Sequence, residues 1–300
     1  MNKESSPDKK YFEDQTKFKE KLEPETALER FAATVIAKNI EGLRAEFVLL
    51  DSFRTTNDAI SSFIEHEDCN RHKDIVCYDR TRVILRDGLP LETDYIHANY
   101  VKSQLCKLKT TYICTQCPMN NTVNDFWRMV AQEKPKIVVM LCKNIKNGAT
   151  DCAQYCPLEW GQSKQYGNIR VQYMKKISSI TEKINNNGIP KSRMGMLRIL
   201  RKIPDHPNSR TIIHCCDGVG MSGTMIACKI SLKILLEGKN LDVMDVIREI
   251  RSQRACAVRT EAQYIYLHKT LCEYISAKKI LRRPIFDFIK LCEAYHANVI

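Results

Sequence analysis

The sequence has no apolar run long enough to cross a bilayer. The longest runs, such as Ile137 to Cys142, are far too short, and the first ten residues lack the apolar core of a signal peptide. Its fourteen cysteines show no framework of disulfide pairing. These absences argue against a membrane-spanning or disulfide-stabilised secreted protein. We therefore expect a cytoplasmic protein with free thiols.

Acidic residues are also in short supply. The chain has 35 Asp and Glu against 47 Lys and Arg, a net charge of +12 and a pI near 9.0. Such a surplus favours acidic partners such as phosphoproteins or an anionic membrane surface. Nucleic acid is the weakest candidate, because no basic stripe interleaved with aromatic residues is present. The basic residues gather at 191–193, 198–202, 248–259 and 278–283, and each group has the alternative of being a solvated face.

Length and composition predict a single α/β domain. A chain of 300 residues with 44% hydrophobic content can bury one large core. Residues 1–24 are charged and irregular and predict a flexible tail. The domain is expected at 25–300, with a core at 31–275 and a C-terminal helical extension at 276–300.

Apolar periodicity predicts the order of the elements. Leu28, Phe31 and Val35 mark one amphipathic helix, and the set Leu43, Phe47, Leu50 marks a second. Strands are expected at 96–101, 112–115, 137–141, 171–175 and 211–214. Further helices are expected at 123–132, 222–236, 241–253, 261–277 and 284–297.

The most informative segment is residues 214–223, here called the signature loop, which reads His-Cys-Cys-Asp-Gly-Val-Gly-Met-Ser-Gly. An apolar strand precedes it and a buried helix follows. Its glycines allow successive N–H groups to point into one concavity, to which the helix N-terminus adds partial positive charge. The loop therefore predicts an anion site, and the same dipoles predict that Cys215 ionises easily.

The signature loop resembles that of the classical protein-tyrosine phosphatases, His-Cys-Ser-x-Gly-x-Gly-Arg-[Ser/Thr]-Gly, in which the cysteine attacks phosphorus and the arginine holds the phosphoryl oxygens. Other segments are similar to further blocks of this family in the expected order: residues 69–75 (the recognition loop for phosphotyrosine), 79–85, 94–101, 112–118, 125–130, 136–141 and 258–264 (the glutamine loop). The resemblance implies an α/β fold in which helices flank a twisted mixed β-sheet.

The resemblance also implies the site residues. Cys215 stands at the position of the nucleophile, Met221 at that of the phosphate-binding arginine and Asn186 at that of the general-acid aspartate. The remaining expected site residues are Ser222 and Gln263 for catalysis, and His72, Asp74, Asp217, Gly218, Val219, Gly220 and Arg259 for substrate binding.

Three of these residues depart from what the reaction needs. A methionine thioether at 221 donates no hydrogen bond, and Asn186 has no acidic proton to give. A carboxylate at Asp217 repels a phosphate dianion unless it points to solvent. Loss of a positioned general acid costs roughly 10²–10⁴ in rate, and loss of an oxyanion donor roughly 10²–10³.

The sequence leaves several alternatives open. Arg259 either enters the pocket and replaces the missing positive charge, or is one more solvated arginine beside Arg248, Arg251 and Arg254. The preserved residues can also serve as scaffold only: His214 as a partner of loop backbone, Ser222 as a helix cap and Cys215 as a buried thiol.

Metal binding is not expected from the cysteine spacing. Cys114-x-x-Cys117 and Cys152-x-x-x-Cys156 have suggestive spacings, but a structural zinc site needs four converging ligands, and these cysteines fall in strands and loops of the implied core. We expect no metal and no cofactor.

Taken with the resemblance, the departures predict a pseudophosphatase that lacks or nearly lacks turnover and acts by binding phosphotyrosyl proteins or as a scaffold. The first alternative is a low-activity phosphatase with Cys215 as nucleophile. The second is an interaction protein that uses its basic surface.

Overall fold

The fold is built on a five-stranded mixed sheet. The structure, a computed structural model, describes residues 23–53, 58–86, 93–142, 152–174, 189–190, 192 and 194–298. The strands are β1 (Arg82–Ile84), β2 (Tyr95–Val101), β3 (Thr111–Gln116), β4 (Ile137–Met140), β5 (Ser163–Tyr166), β6 (Ile169–Gln172) and β7 (Arg210–Cys215). The sheet order is β1-β2-β3-β7-β4, with β5 and β6 forming a separate hairpin. β7 runs parallel to both β3 and β4, whereas β1, β2 and β3 pair antiparallel.

Eight α-helices flank the sheet in the part of the chain that the structure describes. They are α1 (Glu23–Asp51), α2 (Ser61–Glu65), α3 (Val123–Glu133), α4 (Gly195–Leu200), α5 (Gly220–Leu236), α6 (Val243–Arg251), α7 (Glu261–Ala277) and α8 (Arg282–Asn298). This confirms the expected α/β class and the predicted helices after the signature loop. No helix within these ranges combines the length and apolar character that crossing a membrane requires.

The two predicted N-terminal helices form one stretch, α1, with a break at Asn39. This residue has φ 54° and ψ −173°, values far from those of an α-helix, so the helix is interrupted there. The predicted apolar positions on both sides of the break, from Leu28 to Leu50, are buried against the rest of the domain. Residues 1–22, and with them nearly all of the predicted tail, lie outside the described residues.

The hairpin of β5 and β6 differs from the prediction. The expected strand at 171–175 begins earlier, at Ile169, and its partner β5 was missed. The reason is that Ser163, Lys164 and Gln165 have no apolar alternation and are at least partly exposed. The turn between the strands contains Gly167 at φ 54°.

The two faces of the sheet cover two separate apolar clusters. Because side chains alternate along a strand, Cys114, Ile213 and Cys215 belong to the cluster under α5, whereas Ile113 and Ile212 belong to the one under α3. The signature loop follows β7, the strand held between β3 and β4. The site therefore lies at the carboxyl ends of three parallel neighbours.

Candidate active site

The signature loop makes a tight turn against the end of β3. Gly218 has φ 69°, and a Cβ there would lie only 2.3 Å from the backbone nitrogen of Gln116. The thiol of Cys114, which also belongs to β3, donates to the carbonyl oxygen of Gly218 at 3.1 Å. The turn therefore requires glycine both for its conformation and for its close approach to β3.

The carboxylate of Asp217 points into the concavity of this loop. Its Oδ1 atom accepts hydrogen bonds from the backbone N–H groups of Val219 at 2.9 Å and Gly220 at 3.0 Å. The same oxygen accepts from the Cys215 thiol at 2.9 Å. Of the two orientations that the sequence left open, the structure has the inward one. These donors of the concavity are therefore bound to an anionic group of the chain itself.

The contact changes the ionisation of both partners. Burial, the negative charge of Asp217 and the hydrogen bond to it raise the pKa of Cys215 well above its usual range. Burial opposes the charged form of Asp217, but the bonds from Cys215, Val219 and Gly220, with the charge of Arg259, together lower the pKa of this carboxyl. The expectation of an easily ionised Cys215 is therefore wrong for this conformation, because the loop dipoles stabilise the carboxylate instead of a thiolate.

Arg259 lies at the mouth of the site. Its Nη2 donates to Oδ2 of Asp74 at 2.9 Å, and its Nη1 lies 3.7 Å from Oδ2 of Asp217. The side chain is 36% exposed. It thus links the recognition loop to the signature loop, rather than extending freely into solvent. His72, on the same recognition loop as Asp74, is half-buried.

Met221 and Ser222 lie in the first turn of α5, and both are buried. Met221 joins the apolar cluster that contains Cys215 and Met225. The suggestion that Ser222 caps the helix is wrong, because α5 begins two residues earlier and its N-cap, Val219, forms no side-chain cap. The Asp217 carboxylate, bonded to the first N–H groups of this helix, satisfies them instead.

Gln263 lies against the signature loop from α7. With Thr260 it forms a capping box at the start of that helix, and its Oε1 accepts from the backbone N–H of Arg259 at 3.0 Å. A Cβ added to Gly220 would lie 2.6 Å from Nε2 of Gln263. The amide is therefore packed directly on the signature loop.

Arg254 supports the loop from behind and was not among the predicted site residues. It is fully buried, and its Nε donates to the carbonyl oxygen of Gly218 at 3.1 Å. Its Nη1 donates to Oδ1 of Asn99 at 2.7 Å and its Nη2 to Nδ1 of His97 at 3.1 Å. Burial, together with the charge of Arg254, lowers the pKa of His97 to about 3, so this imidazole is neutral and can accept.

The description of Arg251 and Arg254 as solvated is therefore wrong. Arg251 is 4% exposed and donates to the carbonyl oxygens of Ala257 and Val258, both at 2.9 Å. The sequence contains a signal for this burial, because Arg251 and Arg254 follow the apolar residues Ile247 and Ile250 at a spacing of four. Arg251 ends the buried face of α6, and Arg254 extends the same face just beyond the end of the helix.

His214 is buried beneath the loop. Its Nε2 hydrogen-bonds with the hydroxyl of Tyr155 at 2.9 Å, where the sequence suggested loop backbone as its partner. Burial lowers the pKa of His214 to about 4, so the ring is neutral near pH 7. The predicted general-acid position, Asn186, lies outside the described residues.

Comparisons with known proteins identify the family of the chain. A sequence profile of the family described as Protein-tyrosine phosphatase matches residues 66–186 and 184–273. The chain is 30% identical over 247 residues to Tyrosine-protein phosphatase non-receptor type 9 of Homo sapiens. This match covers 68% of the present chain and 41% of the human protein. The chain is also 30% identical over 296 residues to Receptor-type tyrosine-protein phosphatase F of Mus musculus. This second match covers 86% of the present chain and 15% of the mouse protein.

A third relative is Tyrosine-protein phosphatase 69D of Drosophila melanogaster, 29% identical over 267 residues, with 77% of this chain and 18% of that protein covered. The chain therefore belongs to the protein-tyrosine phosphatase family. It spans less than half the length of each of these three relatives.

Proposed function

We propose that this protein is a pseudophosphatase: a member of the family that acts by binding and has little or no turnover. The observation that carries the proposal is the position of the Asp217 carboxylate, whose Oδ1 accepts hydrogen bonds from the N–H groups of Val219 and Gly220 and from the thiol of Cys215. A phosphoryl group needs the same donors, so substrate must displace a carboxylate that the loop already stabilises.

Three features act against turnover together. The raised pKa of Cys215 keeps the thiol protonated near pH 7, whereas the thiolate is the nucleophile. Phosphoryl transfer depends on neutralising charge on the equatorial oxygens, and Met221 contributes nothing to this. Asn186 supplies no proton to a leaving oxygen. These losses need not multiply, because residues that act as a unit have non-additive effects.

The binding partner that best fits the family resemblance is a phosphotyrosyl protein. Gln116 holds the recognition loop in place, since its Oε1 accepts from the Arg71 N–H at 3.0 Å and its Nε2 donates to the Cys69 carbonyl at 2.8 Å. Asp74 of this loop is paired with Arg259, so a bound peptide would have to compete for it. The positive net charge favours other acidic partners also, including an anionic membrane surface, and we do not expect nucleic acid.

The second candidate is a phosphatase of low activity, and the position of Arg259 favours it. Its Nη1 lies 3.7 Å from Oδ2 of Asp217. If the carboxylate swung out, this guanidinium could face a phosphoryl group in the loop and take the part of the absent arginine. A third candidate, an interaction protein that uses only its basic surface, would leave the signature loop without a ligand. For all three, we propose a cytoplasmic location.

The test is hydrolysis of a generic aryl phosphate by four proteins: the wild type, Cys215→Ser, Met221→Arg with Asn186→Asp, and the same double variant with Asp217→Ala. We expect no turnover by the wild type or Cys215→Ser, and the highest turnover by the triple variant. Wild-type turnover that is lost in Cys215→Ser would contradict the proposal and support the second candidate. Trapping of a phosphotyrosyl peptide by the wild type, measured alongside, separates the first candidate from the third.

A further inference from the structure

A group of cysteine thiols converges on the face of the signature loop opposite Cys215. The Sγ atoms of Cys117, Cys142 and Cys152 all lie within 4.8 Å of one another. Cys216 lies beside them, because the backbone N–H of Cys117 donates to the carbonyl oxygen of Cys216 at 3.3 Å and the Cys216 thiol interacts with those of Cys117 and Cys142. These four residues, here called the thiol cluster, bring together segments that are far apart in the sequence.

The topology of the sheet produces this convergence. Cys117, Cys142 and Cys216 follow the carboxyl ends of β3, β4 and β7, which are adjacent and parallel. The backbone N–H of Cys117 donates to the carbonyl oxygen of Cys215 at 2.9 Å, so the first and third of these strand ends are tied together. Cys152 is fixed beside them, because the N–H of Ala153 donates to the carbonyl oxygen of Pro118 at 2.9 Å. A framework of backbone bonds therefore holds the thiols in place.

The surroundings suit a soft cation. Cys117 and Cys152 are buried, whereas Cys142 and Cys216 are partly exposed and leave a path from solvent. Arg71 donates to the carbonyl oxygen of Cys117 at 3.3 Å, and its charge acts on the Cys152 thiol. Its Nε atom is buried and has no hydrogen-bond partner among the described residues. A nearby guanidinium would offset the negative charge that four thiolates and a divalent ion carry together.

We propose that the thiol cluster, Cys117, Cys142, Cys152 and Cys216, binds one Zn²⁺ ion as a tetrahedral four-thiolate site. Zn–S bonds of about 2.3 Å place the sulfurs of such a site about 3.8 Å apart, so the sulfurs of Cys117, Cys142 and Cys152, which lie within 4.8 Å of one another, need only a small contraction. Cys216, next to Cys117, would then close the site as the fourth ligand. Each thiol loses its proton to solvent as its Zn–S bond forms, and no oxidation or reduction takes place. Four-sulfur tetrahedral sites are typical of zinc.

The proposal replaces the expectation of no metal and uses a different set of cysteines. Of the pairs that the spacing suggested, Cys114 and Cys156 take no part, since Cys114 bonds the Gly218 carbonyl on the other face of the sheet. The fourth ligand, Cys216, stands where the family signature has serine and directly follows the nucleophile position. A zinc ion bound there would thus hold the signature loop from the face opposite Cys215. The inference does not depend on the proposed function, because Cys215 and Asp217 are not ligands.

The experiment is metal analysis of the purified full chain after incubation with Zn²⁺ and removal of loosely bound ions. We expect one zinc per chain in the wild type. Cys216→Ser restores the serine of the family signature and should fold. Loss of this ligand should weaken zinc binding, measured by competition with a colorimetric chelator, by more than the roughly 10–100-fold that loss of a supporting residue costs. Cys142→Ser should weaken zinc binding to a similar extent.

Cys156→Ser is the matched control, because this cysteine is also partly exposed, lies near Cys152 in the chain and is not in the cluster. It should retain one zinc with unchanged affinity. Substitution with Co²⁺ gives a second readout: the wild type should show the absorption bands of tetrahedral cobalt with thiolate ligands, and Cys216→Ser should not. Substoichiometric zinc in the wild type, a different metal, or equal affinities in Cys216→Ser and Cys156→Ser would overturn the proposal.

Discussion

Oδ1 of Asp217 accepts a hydrogen bond from the Cys215 thiol at 2.9 Å while it also accepts from two backbone N–H groups of the same loop. A loop suited to phosphate thus holds a carboxylate of its own chain. The geometry links two residues, Met221 and Asp217, whose effects on phosphate binding look independent in the sequence. Met221 removes the arginine that would bind phosphate, and Asp217 supplies a substitute anion.

The reactivity of Cys215 should follow from this contact. Asp217→Ala removes the charge and the acceptor that raise the pKa of the thiol, and frees the loop N–H groups to stabilise a thiolate. We therefore expect alkylation of Cys215 by iodoacetamide, followed by peptide mass spectrometry, to reach half its maximal rate at a lower pH in the variant than in the wild type. Identical pH profiles would mean that Asp217 does not control this thiol.

Gly161 is a control for the close approach of Gly218 to β3, because both glycines have a positive φ. The angle is 69° at Gly218 and 77° at Gly161, but a Cβ at Gly161 meets nothing within 4 Å, whereas one at Gly218 overlaps the backbone of β3. Gly161→Ala should lower the free energy of unfolding by roughly 1–2 kcal/mol, the cost of a left-handed alanine. Gly218→Ala should cost about 1–3 kcal/mol more because of the overlap. Equal costs in urea denaturation would show that the close approach to β3 is not constraining.

Arg254 should matter for stability far more than its exposed neighbour on α6. Arg254→Met leaves the acceptors at Gly218, Asn99 and His97 without their buried donor, which should cost about 3–5 kcal/mol. Arg248→Met removes only a surface pair with Asp245 and should cost about 0–1 kcal/mol. Chemical denaturation at pH 7 checks both values. A small effect of Arg254→Met would indicate that its bonds do not support the loop.

Buried histidines should make the protein sensitive to mild acid. Burial lowers the pKa values of His97, His214 and His268 to about 3, 4 and 4. Their unfolded pKa is about 6.5, so the unfolded state binds these protons first. Stability is therefore complete above about pH 6.5 and is lost as the pH falls toward the folded values.

Each such histidine contributes a slope of up to about 1.4 kcal/mol per pH unit in that window. His268→Leu should therefore make the fall in the free energy of unfolding between pH 6 and 5 shallower by about this amount, measured by urea denaturation at several pH values. An unchanged slope would mean that His268 is protonated in the folded protein.

Much of this fold was predictable because its signals are local. The strand that precedes Cys215 and the helices that follow it could be identified from apolar runs and helical spacing, and α7 begins and ends at the predicted residues. The hairpin of β5 and β6 could not, since Ser163–Tyr166 lacks the alternation of a half-buried strand.

The site was predictable in its residues but not in its contacts. The signature loop identified Cys215, Met221 and Asp217 by position alone. The direction of the Asp217 side chain depends on how Gly218 turns against β3, a contact between residues about a hundred positions apart. The thiol cluster was missed for the same reason, because three of its four members are brought together only by the pairing of parallel strands.

Binding of inorganic phosphate would show whether the Asp217 carboxylate occupies the anion site of the signature loop. Titration calorimetry would compare the wild type with Asp217→Asn, which keeps the shape of the side chain but not its charge, and with Asp217→Ala, which empties the site. The prediction, because phosphate has to displace the Asp217 carboxylate, is much weaker binding to the wild type than to Asp217→Ala, with this gain lost when Arg259→Ala is added. Equal phosphate affinity in the wild type and Asp217→Ala would contradict it.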